Sequence, residues 1–190
     1  MPRSSSLYRS IAALVSLVAL LLGGCAVAGV SARSPALGAD DKLAVLPFAN
    51  LTDVPLAGRR AQAIAVSLLR QRGLREVVGY PQPRADLLSS APALTEQQEL
   101  QWARRQGARY ALDGSVTEWR YKTGVDSEPA VGVVLRLRDV ADGRVVWSAS
   151  GARSGWGYQA LAAVGQAQIE ALLRGLDVVA APARAAHPAS

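Results

Sequence analysis

Few residues in this chain have the type and spacing that covalent or proton-transfer chemistry needs. It holds one cysteine, Cys25, and one histidine, His187. A single thiol excludes an intramolecular disulfide framework and a cysteine-based zinc site. His187 stands in a Pro/Ala-rich stretch near the C-terminus, which excludes most histidine-dependent catalysis in a folded core. The sequence has no GxGxxG, no phosphate-binding loop, no GxSxG and no His–carboxylate set. Carboxylates occur, but none is singled out as a pair facing across a cleft, as glycoside hydrolysis requires. The expectation is a protein that is not an enzyme and that uses no catalytic residue, metal or cofactor.

Acylation is the chemistry that Cys25 does fit. Arg3 and Arg9 open the chain with positive charge, and Ile11 to Leu22 is an unbroken run of apolar and small residues. Its length falls in the export-signal range and below the roughly 20 residues of a membrane-spanning helix. The run ends Leu22-Gly23-Gly24-Cys25, which resembles the bacterial lipobox, a cleavage site directly before an acylated cysteine. Residues 1–24 therefore read as a lipoprotein signal peptide. An ordinary signal peptide followed by a coincidental cysteine is the competing reading. Each buried CH₂ of an acyl chain contributes about 0.8 kcal/mol, so several chains hold a protein firmly to lipid. Ala26 follows the cysteine where lipoproteins retained in the inner membrane carry Asp, so the likeness implies sorting to the outer membrane. Residues 25–41, with the Ala/Gly/Ser/Pro-rich Ala26–Asp41, read as the acylated cysteine and a flexible tether.

The remaining elements can only position surfaces. Val131, Val133, Leu135 and Leu137 alternate with Arg136 and Arg138, the period of a strand with one buried and one wet face. Asp142-Gly143 marks a hairpin to a run starting at Val145, and Lys122–Pro129 reads as a longer loop from the strand that begins near Arg109. Upstream, Lys42–Phe48 is a short strand ending near Pro47. Leu56 to Arg72 is a helix with an Ala57, Ala61, Ile64, Leu68, Leu69 stripe, with Arg59, Arg60, Gln62 and Arg70 wet. Thr52 or Asp53 is its expected cap and Gly73 its stop. Glu76–Val78 closes a parallel βαβ unit. Thr95–Gln98 matches a capping box for a helix to about Gln106, and Tyr158 to about Arg174 forms the last helix. The fold class is thus α/β, a single mixed β-sheet packed with helices in the order β-α-β-α-β-β-β-α. The folded domain spans 42–176, and 177–190 reads as a disordered tail.

Formal charge is +6 for the whole chain, and removing a leader that holds Arg3, Arg9 and no acid leaves +4. Without an arginine-rich block or an aromatic platform, that excess is weak support for nucleic acid, and no nucleic-acid partner is expected.

A lipobox followed by KLAVLPFANLTD and a helix resembles the periplasmic domains related to the TolB amino-terminal (anticodon-binding-like) domain, CsgG and the LpoB-type synthase activators. Three further segments sharpen the likeness: PLAGRRAQAIA at 55–65, GSVTEWRYKTGVDSEPAVG at 114–132 and VVWSASGARSGWG at 145–157. Together they resemble the PelC family, outer-membrane lipoproteins of Pel exopolysaccharide export, over nearly the whole of Lys42 to Arg174. The resemblance implies a non-catalytic, homo-oligomeric ring, of twelve subunits in the family. It lies on the periplasmic face of the outer membrane, beneath a β-barrel exporter. Acyl anchors and a ring of tryptophans engage the membrane, and an acidic funnel guides a cationic polysaccharide.

On that implication Trp156, between Gly155 and Gly157, matches the membrane-contacting tryptophan; a core position under the last helix is its other reading. Trp147 reads as core or subunit interface, and Trp119 lies on a face that the pattern leaves open. Asp126 and Glu128, at a loop tip, and Asp113 and Glu118, on or near a strand, are the polysaccharide-guiding candidates. The plainer reading of Asp126 and Glu128 is a solvated turn, and a mature charge of +4 is unexpected for an acidic guide. The rival function is a lipoprotein that activates a peptidoglycan synthase, which would need a longer tether than about 3.5 Å per residue over Ala26–Asp41 provides. A CsgG-like pore subunit would need amphipathic barrel strands of about 9–11 residues, for which the arginine-bearing Val131–Val140 run is poorly suited.

Overall fold

The computed structural model describes residues 26–30, 33–81, 94–124 and 127–179. The leader, Cys25, Asp126, the connection 82–93 and the segment 180–190 lie outside the described residues. The elements are β1 (Ala26–Val30), β2 (Ala36–Gly38), β3 (Leu43–Asn50), α1 (Ala57–Gln71), β4 (Val77–Gly79), α2 (Glu96–Arg105), β5 (Tyr110–Tyr121), β6 (Pro129–Asp139), β7 (Val145–Ser154), α3 (Leu161–Leu173) and β8 (Asp177–Val179). The main sheet runs β1-β7-β6-β5-β3-β4, and β2 pairs with β8 in a small parallel sheet. In the main sheet β3 is parallel to β4 and β5, and the other pairs are antiparallel. The expected mixed α/β architecture and the parallel β3–α1–β4 unit are both present.

The β5–β6–β7 meander forms because alternation supplies a buried face and the turns supply the reversals. Gly143 takes φ +77°, the left-handed conformation that a glycine adopts at no steric cost. The Gly143 N–H donates to the Asp139 carbonyl at 2.8 Å. Val131, Val133, Leu135 and Leu137 face α1 and α3, as do Trp119, Trp147, Leu112 and Val116, all of them buried. Alanines at 57, 61 and 65 let α1 come close to the sheet. On α3, Gly165 leaves room for the Trp119 indole, whose ring atoms a Cβ there would overlap.

Among the described residues, the second face of the sheet is only partly covered. Leu100 and Ala103 of α2 seal a small core over Ala44, Leu46, Ala111 and Val140. The predicted capping box is formed: the Thr95 hydroxyl accepts from the Gln98 N–H at 3.3 Å, and Gln98 Oε1 accepts from the Thr95 N–H at 2.9 Å.

Several expectations are corrected. Ala26–Asp41 is not a free tether: β1 adds to the β7 edge and β2 pairs with β8, because an open strand edge satisfies backbone groups that would otherwise stay solvated. By the same pairing, 177–179 belong to the fold rather than to a tail. Strand β3 continues past Pro47 to Asn50. Its pairing with β4 ends at Val45, and the β5 register shifts between Val45 and Phe48, so the missing proline N–H falls at an irregularity. Thr52 and Asp53 do not cap α1, whose N-cap is Leu56 at φ 63° with no side-chain cap. The Thr52 hydroxyl instead donates to Asn50 Oδ1 and accepts from the Val54 N–H. Gln62 is buried, not wet, donating to the Val45 and Tyr80 carbonyls at 3.1 and 3.2 Å. Arg138 is likewise buried rather than on an open face, for the reason given next.

Candidate functional site

The sequence-predicted residues separate into three places. Asp113 lies in β5 opposite Arg136 of β6, on the sheet face that α2 covers. Its carboxylate accepts from Arg136 Nε at 2.6 Å and from Arg138 Nε at 2.5 Å. Arg138 also bonds Glu96 of α2 and the Gly143 carbonyl. Burial by itself lowers the Arg138 pKa, but the hydrogen bonds to Glu96 and Asp113 outweigh it, so the guanidinium stays above its ordinary value. Asp113 is 3% exposed, which makes it a structural ion-pair partner; the subunit surface does not present it to a passing polymer.

Glu118 stands where β5 bulges between Val116 and Glu118. It pairs with Arg120 at 3.1 Å and keeps its side chain partly exposed. An open cleft of about 360 Å³ beside it is lined by Leu51, Asp53, Thr117, Arg120 and Gly132. Asp53 is exposed, with no ion pair among the described residues. It is therefore a second carboxylate at the cleft, one that the sequence reading considered only as a helix cap. Nothing in its local pattern distinguishes the two roles; the β3–α1 loop geometry decides.

The third place is the end of the sheet where β5 leaves, β6 enters and β7 leaves. Glu128 sits here, 3.9 Å from Lys122, whose ammonium also donates to Ser154 Oγ at 2.6 Å. The Gly155 N–H donates to the Pro129 carbonyl, and Gln159 Oε1 accepts from the Trp156 N–H. Those bonds hold a tight turn with Trp156 at its tip, 50% exposed, and Tyr158 beside it, 87% exposed. The last helix therefore starts at Leu161 rather than Tyr158. The Leu161 N–H donates to the Tyr121 hydroxyl at 3.1 Å, and Ala160 at the N-cap offers no side-chain oxygen. Trp156 is thus not a core residue of the subunit, whereas Trp119 and Trp147 are 2% and 0% exposed. Among the described residues no helix is long and apolar enough to cross a membrane.

A PelC dodecamer from Paraburkholderia phytofirmans is 41% identical, with 82% of this chain and 99% of that chain covered and a TM-score of 0.71. The chain belongs to the PelC family. A point variant of PelC from the same organism, also a dodecamer, matches with the same identity and TM-score. Lipoprotein GNA1162 from Neisseria meningitidis, 16% identical with a TM-score of 0.49 over 70% of this chain and 96% of that one, is a distant likeness. No protein-family model and no curated protein matches the chain.

In this PelC chain the ion-pair cluster has one misfit, which sequence reasoning missed. Glu99, on α2 and half-buried, is raised from 4.5 to about 7, by burial first and then by the Asp113 carboxylate. Glu96 adds to the shift, while Arg138 and Arg136 oppose it. A carboxyl with a raised pKa binds its proton more tightly in the folded state. Its stabilising contribution is full below about pH 4.5 and is lost as pH rises to about 7. Each unit corresponds to about 1.4 kcal/mol, and solvent screening at this half-exposed position reduces the whole to about 1–2 kcal/mol. Glu99→Gln is expected to flatten that slope, so that urea midpoints of wild type and variant converge near pH 4.5 and separate at pH 7.5. Parallel pH profiles would show that folding does not raise the Glu99 pKa.

Proposed function

We propose that the chain is an outer-membrane lipoprotein, acylated at Cys25. It assembles with copies of itself into a ring and, without catalysing a reaction, guides a cationic exopolysaccharide (Pel) across the periplasm to a β-barrel exporter. One observation carries the reading: 41% identity to a PelC structure that is covered to 99% and is a dodecamer. The exposed Trp156 suits a membrane contact, since indole places an apolar ring and an N–H at the headgroup level. Glu118 and Asp53 at the cleft, with Glu128 and Asp126, are the guiding carboxylates on this reading. Repeated around a symmetric ring, identical carboxylates sum to a strong field.

Net charge does not fix the sign of a local field, and several arginines are engaged by groups of their own subunit. Arg70, Arg72 and Arg104 donate to the carbonyls of Val77, Leu176 and Val140, and Arg136 and Arg138 are held by Asp113. A long-reaching synthase activator fits less well than the sequence suggested. The segment that would reach is partly spent on β1 and β2.

Light scattering of residues 26–190 at several concentrations tests the assembly. A large discrete oligomer is expected, in solution or on lipid bilayers. A monomer that persists on bilayers would sink the ring.

A further inference from the structure

The register of β1 decides where the N-terminal end of the mature chain leaves the fold. Ala26 pairs with Arg153 and Val30 with Ala149, so β1 runs towards its N-terminus alongside the last residues of β7. Consecutive Cα atoms are about 3.8 Å apart, so a group on residue 25 is attached one residue from Ala26, which lies beside Arg153. The turn bearing Trp156 and Tyr158 begins at Gly155, just past the end of β7. Were Ala26–Asp41 free, at about 3.5 Å per residue, the domain would hang several tens of ångströms from its anchor in any orientation. The pairing removes that freedom.

The surface at this end has the chemistry of a lipid headgroup contact. Trp156 and Tyr158 are exposed aromatics with polar tips, the side chains enriched where bilayers meet water. Lys122 reaches across to Ser154 at the same end.

We infer that β1 is a clamp. It holds the lipid-bearing end of the chain against β7 without slack, and so sets the Trp156 turn on a phospholipid surface with Tyr158 as a second membrane contact. The inference rests on the reading of Cys25 as acylated. Tether length and orientation are then properties of the fold, and each subunit meets the membrane in one pose.

The test uses the full-length lipoprotein extracted in mild detergent, with its mass measured first. Gly29 and Ser150 are register partners, and a Cβ on Gly29 lies 3.9 Å from Ser150 Oγ, so side chains at the two positions meet on one face of the sheet. Gly29→Cys with Ser150→Cys is expected to oxidise nearly completely, and Gly29→Cys with Ala152→Cys, two residues off register, hardly at all. In vesicles of phosphatidylethanolamine and phosphatidylglycerol with brominated acyl chains, Tyr158→Trp in a Trp156→Phe background is expected to lose most of its added fluorescence. An acylated protein that cross-links equally at both pairs, or at neither, overturns the clamp. An acylated protein whose position 158 is unquenched overturns the second contact. A mass without acyl chains overturns the anchoring reading itself, and the inference with it.

Discussion

Replacing Asp113 with alanine will lower the unfolding free energy by about 3–5 kcal/mol, the usual cost of removing one partner from a buried ion pair. The magnitude follows from what is left behind. The Asp113 and Arg138 side chains are only 5% and 6% exposed, and they meet at 2.5 Å. Without the carboxylate, Arg138 keeps Glu96, which is itself 64% exposed, and one carbonyl at 3.3 Å. That is too little to offset the desolvation of a guanidinium. Arg136→Ala is the control. Its side chain is 46% exposed, and pairs of that kind contribute about 0–1 kcal/mol. Urea unfolding distinguishes the two: the midpoint falls steeply for Asp113→Ala and little for Arg136→Ala, with m unchanged in both. Equal small losses would mean that Asp113 is solvated and restore it to the candidates for guiding a polysaccharide. The large loss makes it a fastener between β5, β6 and α2.

Trp119→Ala is expected to cost about 3–5 kcal/mol, while Trp156→Ala changes stability by less than about 0.5 kcal/mol in solution. The two tryptophans lie towards the same end of the sheet but in different environments. Trp119 is 2% exposed and lies against Gly165 of α3, where its ring occupies the space a Cβ would take. Truncation opens a cavity that helix and sheet cannot close without moving. Trp156 is half-exposed at a turn tip, so it forfeits little on truncation in water. On vesicles the order reverses: Trp156→Ala should weaken lipid binding, and Trp119→Ala should do so only as far as it unfolds the protein. Chemical denaturation and vesicle flotation of both variants measure this. A Trp156→Ala loss of several kcal/mol in solution would show that the indole packs within the subunit.

The sequence by itself determined the elements whose signals are local. Alternation from Val131 to Leu137 specifies a strand because side chains on a pleat point alternately to opposite faces. Asp142-Gly143 specifies a turn because glycine reaches positive φ without a clash, and Thr95–Gln98 specifies a helix start because both partners of the capping box lie within four residues. The segments PLAGRRAQAIA and GSVTEWRYKTG likewise pointed to the PelC family before any contact was known. Tertiary structure alone decided which face each residue meets. Arg138 and Gln62 look wet to periodicity, since their partners Asp113, Val45 and Tyr80 are remote in sequence. Trp119 had no assignable face until the β5 bulge and Gly165 gave it one. Ala26–Val30 looked like a tether because a short Ala/Gly/Val strand has no period of its own to bury. It becomes a strand only because β7 leaves an edge of unpaired backbone beside it.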